Sequence, residues 1–176
     1  IHPGCGDSAK NWRYSFYAEL ANRLCSSLNI PLVLTGTDKE ADILNSIKQH
    51  VRDAKVYSTA GALSLKDLIA TISEAKLFIG PSTGPMHIAA ATGVPVTAIF
   101  SPVKVQSARR WGPYSYNNSV VVAPSNIDCP GTLKCLGNKC EYFECMDMIS
   151  VDEVFDKAMN LYERSVGQMG LSFTEV

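Results

Sequence analysis

The turn Gly80-Pro81-Ser82-Thr83-Gly84-Pro85, running into Met86-His87-Ile88-Ala89-Ala90-Ala91, has the residue types for holding an anion. The apolar run Ala75-Lys76-Leu77-Phe78-Ile79 before it predicts a core strand. Thr83 can then serve as N-cap, Gly84 as open backbone and Pro85 as the first helical turn. A strand that breaks into such a helix start aims backbone N–H groups and the positive end of the helix dipole at the carboxyl edge of the sheet, where a phosphate can sit. The same residues also make an ordinary strand-to-helix connection, because a lone glycine turn is a weak motif.

Other turns on that edge carry further candidates. Lys10, in the loop from His2 to Trp12, can neutralise a diphosphate and stabilise charge on a departing phosphate, or be a solvated loop lysine. Ser8 can donate to the same phosphate or cap the helix that follows. Glu40, just beyond Gly36-Thr37-Asp38-Lys39, can hold ribose hydroxyls, and an acid in a first helical turn is equally favoured by the dipole alone. His87 can reach a phosphate or sugar hydroxyl, or serve as a structural histidine. Met86 reads as core. Cys129, Cys135, Cys140 and Cys145 fall within seventeen residues but lack the paired C-x2-4-C knuckles of structural zinc sites. Reduced or partly paired thiols, and no metal, are expected there. A general base is missing from this edge, since Asp7 and Asp38 read as cap or turn residues.

These residues need a scaffold, and the apolar periodicity supplies one. Phe16, Leu20, Leu24 and Leu28, spaced by four, predict a helix over Tyr14–Leu28. A strand over Ile30–Thr35 follows, then a helix from the Gly36-Thr37-Asp38 turn to about His50 and a brief strand at Lys55–Tyr57. Ser64 with Asp67 resembles a capping box for a helix reaching about Glu74. Beyond the opening turn come strands at Val94–Phe100 and Ser119–Val122, a cysteine-bearing loop, and a helix from the Ser150 cap to about Arg164. The tail 165–176 shows no clear period. Alternating strands and helices with short links predict an α/β fold, a parallel sheet covered by helices on both faces.

The bulk composition narrows the function classes. With 176 residues, 46% hydrophobic, the chain is long enough for one domain with a real core. Its 16 Lys+Arg against 17 Asp+Glu give a net charge of -1, so nothing calls for nucleic acid as a partner. The most apolar stretch, Ile88 to Phe100, is interrupted and too short to span a bilayer, so no transmembrane segment is expected. Ile1-His2-Pro3-Gly4 reads as the tail of a strand, which makes the chain an expected fragment of a longer protein.

Taken in order, His2-Pro3-Gly4-Cys5-Gly6 with Ser8-Ala9-Lys10-Asn11-Trp12, Leu34-Thr35-Gly36 with Glu40, and Ser82 through Ala91 with Gly93-Val94-Pro95-Val96 resemble the heptosyltransferases of glycosyltransferase family 9. Trp111-Gly112-Pro113 and Cys145-Met146 with Ile149 extend the likeness, which covers about residues 1 to 160. The resemblance implies the Rossmann-like, C-terminal, nucleotide-sugar-binding half of a two-domain GT-B enzyme, spanning residues 1–176, with the N-terminal acceptor domain outside this chain. It implies heptose transfer from ADP-heptose to the lipopolysaccharide core or lipid A with inversion, without cofactor or metal, by a cytoplasmic protein that can also sit peripherally on the inner face of the cytoplasmic membrane. It places Lys10 on the donor phosphates and Glu40 near the adenosine, with Thr83, Gly84 and His87 holding phosphate and sugar. Ser8, Thr35 and Ser82 complete the implied donor site, and the catalytic aspartate belongs to the N-terminal domain. Ser82 stands where many members carry an aspartate, so another donor such as UDP-N-acetylglucosamine fits the residues too, as does a non-catalytic nucleotide-binding module.

Overall fold

The computed structural model describes residues 1–6, 10–52, 55–122, 127–131, 133–136 and 139–171. Five parallel strands alternate with helices: α1 (Tyr14–Leu28), β1 (Leu32–Leu34), α2 (Ala41–His50), β2 (Val56–Ser58), α3 (Leu65–Ser73), β3 (Phe78–Pro81), α4 (Gly84–Ala91), β4 (Val96–Phe100), α5 (Ala108–Trp111), β5 (Asn118–Val122) and α6 (Val151–Leu171). β1 pairs with β2, and β3, β4 and β5 pair in that order. The gap between the two sheets is closed by the first residues of the chain. Ile1 N–H donates to Val33 O at 2.8 Å and Thr35 N–H donates to Ile1 O at 3.0 Å, while His2 N–H donates to Ile79 O at 2.9 Å. The return bond from β3 is missing because Pro81, with no N–H, stands at that position. The spatial order is therefore β2, β1, the N-terminal segment, β3, β4, β5, which is the order of a Rossmann sheet with the N-terminal segment as its first strand.

Side chains alternate between the two faces with period two, and each face has its own helices. Phe78, Val96, Ala98 and Phe100 pack with Ile72 of α3 and Met86, Ala89 and Ala90 of α4. Ile79, Ile99 and Val121 point the other way, into the larger core built by α1, α2 and α6. α1 uses its stripe as the spacing predicts, burying Leu20 and Leu24 with Tyr17, Ala21 and Cys25. It stops at Asn29, whose left-handed φ of 50° lets its N–H close onto Cys25 O at 3.3 Å. Ser64 caps α3 as expected, accepting from Asp67 N–H at 3.2 Å.

The element boundaries differ from the sequence reading in identifiable ways. The third strand begins at Phe78 rather than Ala75, because Ala75 N–H bonds Ile72 O at 3.0 Å and prolongs the turn that ends α3. The single turn α5 was not expected, being too short to show a period. α6 continues past Arg164 to Leu171, with Ser165 buried and its hydroxyl donating to Leu161 O at 2.8 Å. Only residues 172–176 of the anticipated irregular tail lie outside the described residues.

The loop that carries Lys10 is anchored at its far end. Trp12 is 1% exposed, its Nε1–H donates to Ile149 O at 2.9 Å, and its ring meets Phe16 and Tyr17 edge-on at 5.5 and 5.0 Å. Arg13 pairs with Asp147 and lies 3.6 Å from Glu144. Residues 10–13 are thus bound to the segment that leads into α6, although the two are more than 130 positions apart in the chain.

Candidate functional site

The chain crosses from the N-terminal segment to β1 in one direction and resumes at β3 on the other side, so the topological switch point lies between residues 1–3 and β3. In open α/β sheets the crevice outside the carboxyl ends of the strands at such a point takes the ligand. A cleft of about 730 Å³ lies there. Its walls are the turns that follow four strands: His2 with Gly4 to Gly6, Gly36 to Glu40, Thr59 with Gly61 and Leu63, and Thr83 to Pro85. A second cavity, of about 510 Å³, opens at the amino edge between α1, β1 and β3 and is lined mainly by apolar groups such as Leu24, Leu28, Leu32, Leu77 and Phe78. Polar groups and helix starts converge only on the first, which is why we place the site there.

Glu40 lines the cleft and is held by a capping box with Thr37. Its Oε2 accepts the Thr37 N–H at 2.8 Å and the Thr37 hydroxyl at 2.9 Å. Gly4 makes room for the carboxylate, since a Cβ at that position would overlap Oε1. Asp38 is received in the same way by Gly61, whose φ of +79° and contact with the Asp38 carboxylate both exclude a side chain. The two glycines thus make room for two carboxylates in the cleft lining.

Thr83 occupies the N-cap position of α4 with extended φ and ψ of -140° and 171°, but its hydroxyl turns back to Pro81 O at 3.3 Å and caps nothing. The sequence reading gave Thr83 a capping side chain, and the carbonyl of Pro81 competes for it. At the helix start, exposed on the cleft wall, Pro85 has no N–H and the Met86 and His87 N–H groups bond Thr83 O at 3.1 and 3.3 Å, which leaves the Gly84 N–H as the donor of this turn without a partner among the described residues.

His2 forms the floor. It is 6% exposed, and its Nδ1 lies 3.0 Å from the hydroxyl of Thr35, itself 5% exposed. Burial pushes the imidazole pKa down to about 4, against the opposing pull of the Glu40 charge, so the ring is neutral at pH 7. Nothing in residue type separated His2 from an ordinary strand residue. Its place at the end of the strand beside the switch point would have marked it.

The remaining sequence candidates fall at varied distances from the cleft. Glu40, Thr83 and Gly84 line it together. Thr35 lies beneath it, its hydroxyl engaged by His2. Ser82 and His87, both half-buried, flank the α4 start without lining the cavity. Lys10 is half-buried too, with its Nζ 5.2 Å from the centre of the Phe143 ring, on the side of the cysteine-bearing segment. Ser8 lies outside the described residues. The turn Thr59-Ala60-Gly61 was overlooked, although its glycine follows a short strand on the same edge. The six cysteines are thiols, and burial raises the pKa of Cys145. Among the described residues no group of three or more His, Cys, Asp or Glu is placed to hold a metal ion, and no helix is long and apolar enough to cross a membrane.

Comparison with known proteins adds an independent line. The family model of glycosyltransferase family 9 (heptosyltransferase) matches residues 1–140. The chain is similar to a lipooligosaccharide heptosyltransferase 2 of Campylobacter jejuni, with 28% identity over 94% of this chain and 51% of the relative. It is also similar to the lipopolysaccharide core heptosyltransferase OpsX of Haemophilus influenzae, with 30% identity over 72% of this chain and 32% of the relative. Among solved structures, the ADP-heptose lipopolysaccharide heptosyltransferase II of Escherichia coli superposes with a TM-score of 0.77 at 24% identity, covering 94% of this chain and 46% of that one. A family 9 glycosyl transferase of Veillonella parvula gives a TM-score of 0.74 at 20% identity, covering 93% and 45%. The structural likeness carries the Rossmann-like fold. The chain spans about half the length, or less, of these relatives.

Proposed function

This chain belongs to glycosyltransferase family 9 (heptosyltransferase), and on that premise we propose that its carboxyl-edge cleft binds the nucleoside diphosphate of a nucleotide-sugar donor. The observation that carries the reading is the convergence of the Glu40 carboxylate, the Gly4 and Gly61 turns and the open start of α4 on one cleft at the switch point. Glu40 Oε1, without a hydrogen bond among the described residues, suits ribose hydroxyls, and the Gly84 N–H with the positive end of the α4 dipole suits the diphosphate. Lys10 reaches the diphosphate by swinging off the Phe143 ring, a weak exposed contact. In that position its ammonium stabilises the negative charge that grows on the leaving nucleoside diphosphate as the glycosidic bond breaks.

ADP-heptose is the donor we propose and the lipopolysaccharide core the acceptor, with inversion at the transferred carbon. The names of the relatives support both substrates, while the inversion comes from the family resemblance alone. The base that takes the acceptor's proton is proposed to lie in the half of the family's length that this chain does not span. A uridine-based donor is a second reading, favoured by the neutral Ser82 beside the site.

Calorimetric titration of the 176-residue chain with ADP and with UDP tests the assignment. Lys10→Ala is expected to weaken binding roughly tenfold, the size of one charge-assisted contact, while leaving thermal unfolding unchanged. Equal affinity in wild type and variant would remove Lys10 from the site.

A further inference from the structure

The Thr35 hydroxyl is buried, and among the described residues its one partner is Nδ1 of His2, at 3.0 Å. A hydroxyl carries one hydrogen, and a buried donor left unpaired is costly. Either tautomer leaves one hydrogen without a protein partner, and it costs less on Nε2, which is not fully sealed from the cleft, than on the buried hydroxyl; the hydroxyl hydrogen therefore goes to Nδ1, which accepts it with its lone pair. The ring's own proton then resides on Nε2, and Nε2 has no protein partner among the described residues. His2 lines the cleft floor, fixed from behind by its backbone bond to Ile79 O at 2.9 Å and beside the Glu40 charge.

From this arrangement we propose that His2 is a specificity-determining residue of the donor site: oriented by Thr35, it presents an Nε2–H donor to an oxygen of the bound nucleoside diphosphate. The inference rests on the donor-site reading given above. The required ligand atom is an acceptor, a ribose or phosphate oxygen. A ligand that offers only a hydrogen-bond donor at this point is disfavoured, because the tautomer is set by the Thr35 hydroxyl, which has no other acceptor among the described residues.

The test uses the full chain labelled with 15N-histidine, its His2 resonances assigned by their loss in His2→Gln. At pH 7 the ring is expected as the neutral Nε2–H tautomer, with the Thr35→Val variant showing a mixture of tautomers. Saturating ADP should shift Nε2 and its proton and slow that proton's exchange. His2→Leu should weaken ADP binding about 3- to 10-fold, the range for one neutral hydrogen bond, and His2→Gln, which keeps a side-chain N–H, should recover most of it. If wild-type chain binds ADP while the Nε2 signal stays unmoved, His2 has no role in recognition and the proposal is overturned with the donor site intact. A ring found as the Nδ1–H tautomer overturns it as well. If neither ADP nor UDP binds wild-type chain, the donor-site reading itself falls, and this inference with it.

Discussion

Replacing Trp12 by alanine is expected to destabilise the domain by about 3–5 kcal/mol, the range for emptying a large aromatic site in a core. The site has little capacity to collapse. Trp12 is wedged against Phe16 and Tyr17 of α1, and its indole N–H holds the carbonyl of Ile149 at 2.9 Å, so its removal opens a cavity and leaves a buried acceptor unpaired. Trp12→Phe separates the two contributions: it keeps most of the packing and loses the hydrogen bond, for an expected cost of about 1–2 kcal/mol. Urea unfolding of the three proteins measures both. The effect reaches the site as well, because Trp12 and Arg13 fasten the loop that bears Lys10 to the residues before α6. An alanine variant as stable as wild type would mean that this anchor is not part of the folded core.

Acidification from pH 7 to pH 4 should cost about 3 kcal/mol through His2 alone. The buried ring titrates at about 4 in the folded chain, against 6.5 for an ordinary histidine. Below pH 6.5 the unfolded chain takes up a proton that the folded chain refuses. Stability from this source is therefore complete above about pH 6.5, declines as pH falls towards 4, and levels off below. His2→Gln removes this part of the pH dependence, so the unfolding midpoints of variant and wild type should converge on acidification. A constant difference between them from pH 7 to pH 4 would show that the ring already carries its proton in the folded state.

The sheet edge was legible in the sequence because it depends on local chemistry. Gly36, Gly84 and the strand-ending runs before them mark turns wherever they stand, and parallel alternation then collects those turns on one side. Family resemblance placed Glu40, Thr83 and Gly84 on that side, and all three line the cleft. What stayed hidden depends on contacts between distant parts of the chain. The Thr35 hydroxyl was assigned to a ligand, yet it meets a histidine 33 positions earlier, a pairing fixed only when the N-terminal segment lies beside β1. The Thr83 hydroxyl was read as a cap, and a local carbonyl captured it. Lys10 is legible from its loop, but the position of its ammonium over the Phe143 ring depends on the distant segment that Trp12 anchors. The extension of α6 beyond Arg164 escaped periodicity because Gly167 and Gly170, both poor helix formers, interrupt it, and the helix is secured there through Ser165 and Asn117 at 3.0 Å.

The claim on which all of this depends is that the carboxyl-edge cleft, and not the apolar cavity at the opposite edge, receives a nucleoside diphosphate. Amide chemical-shift mapping of the 15N-labelled chain during titration with ADP decides it. The largest shifts are expected on Gly4, Gly36, Glu40, Gly61 and Gly84, all of which line the cleft. Shifts confined to Leu28, Leu32, Leu77 and their neighbours around the amino-edge cavity, or no shifts at saturating ADP and UDP, would contradict it.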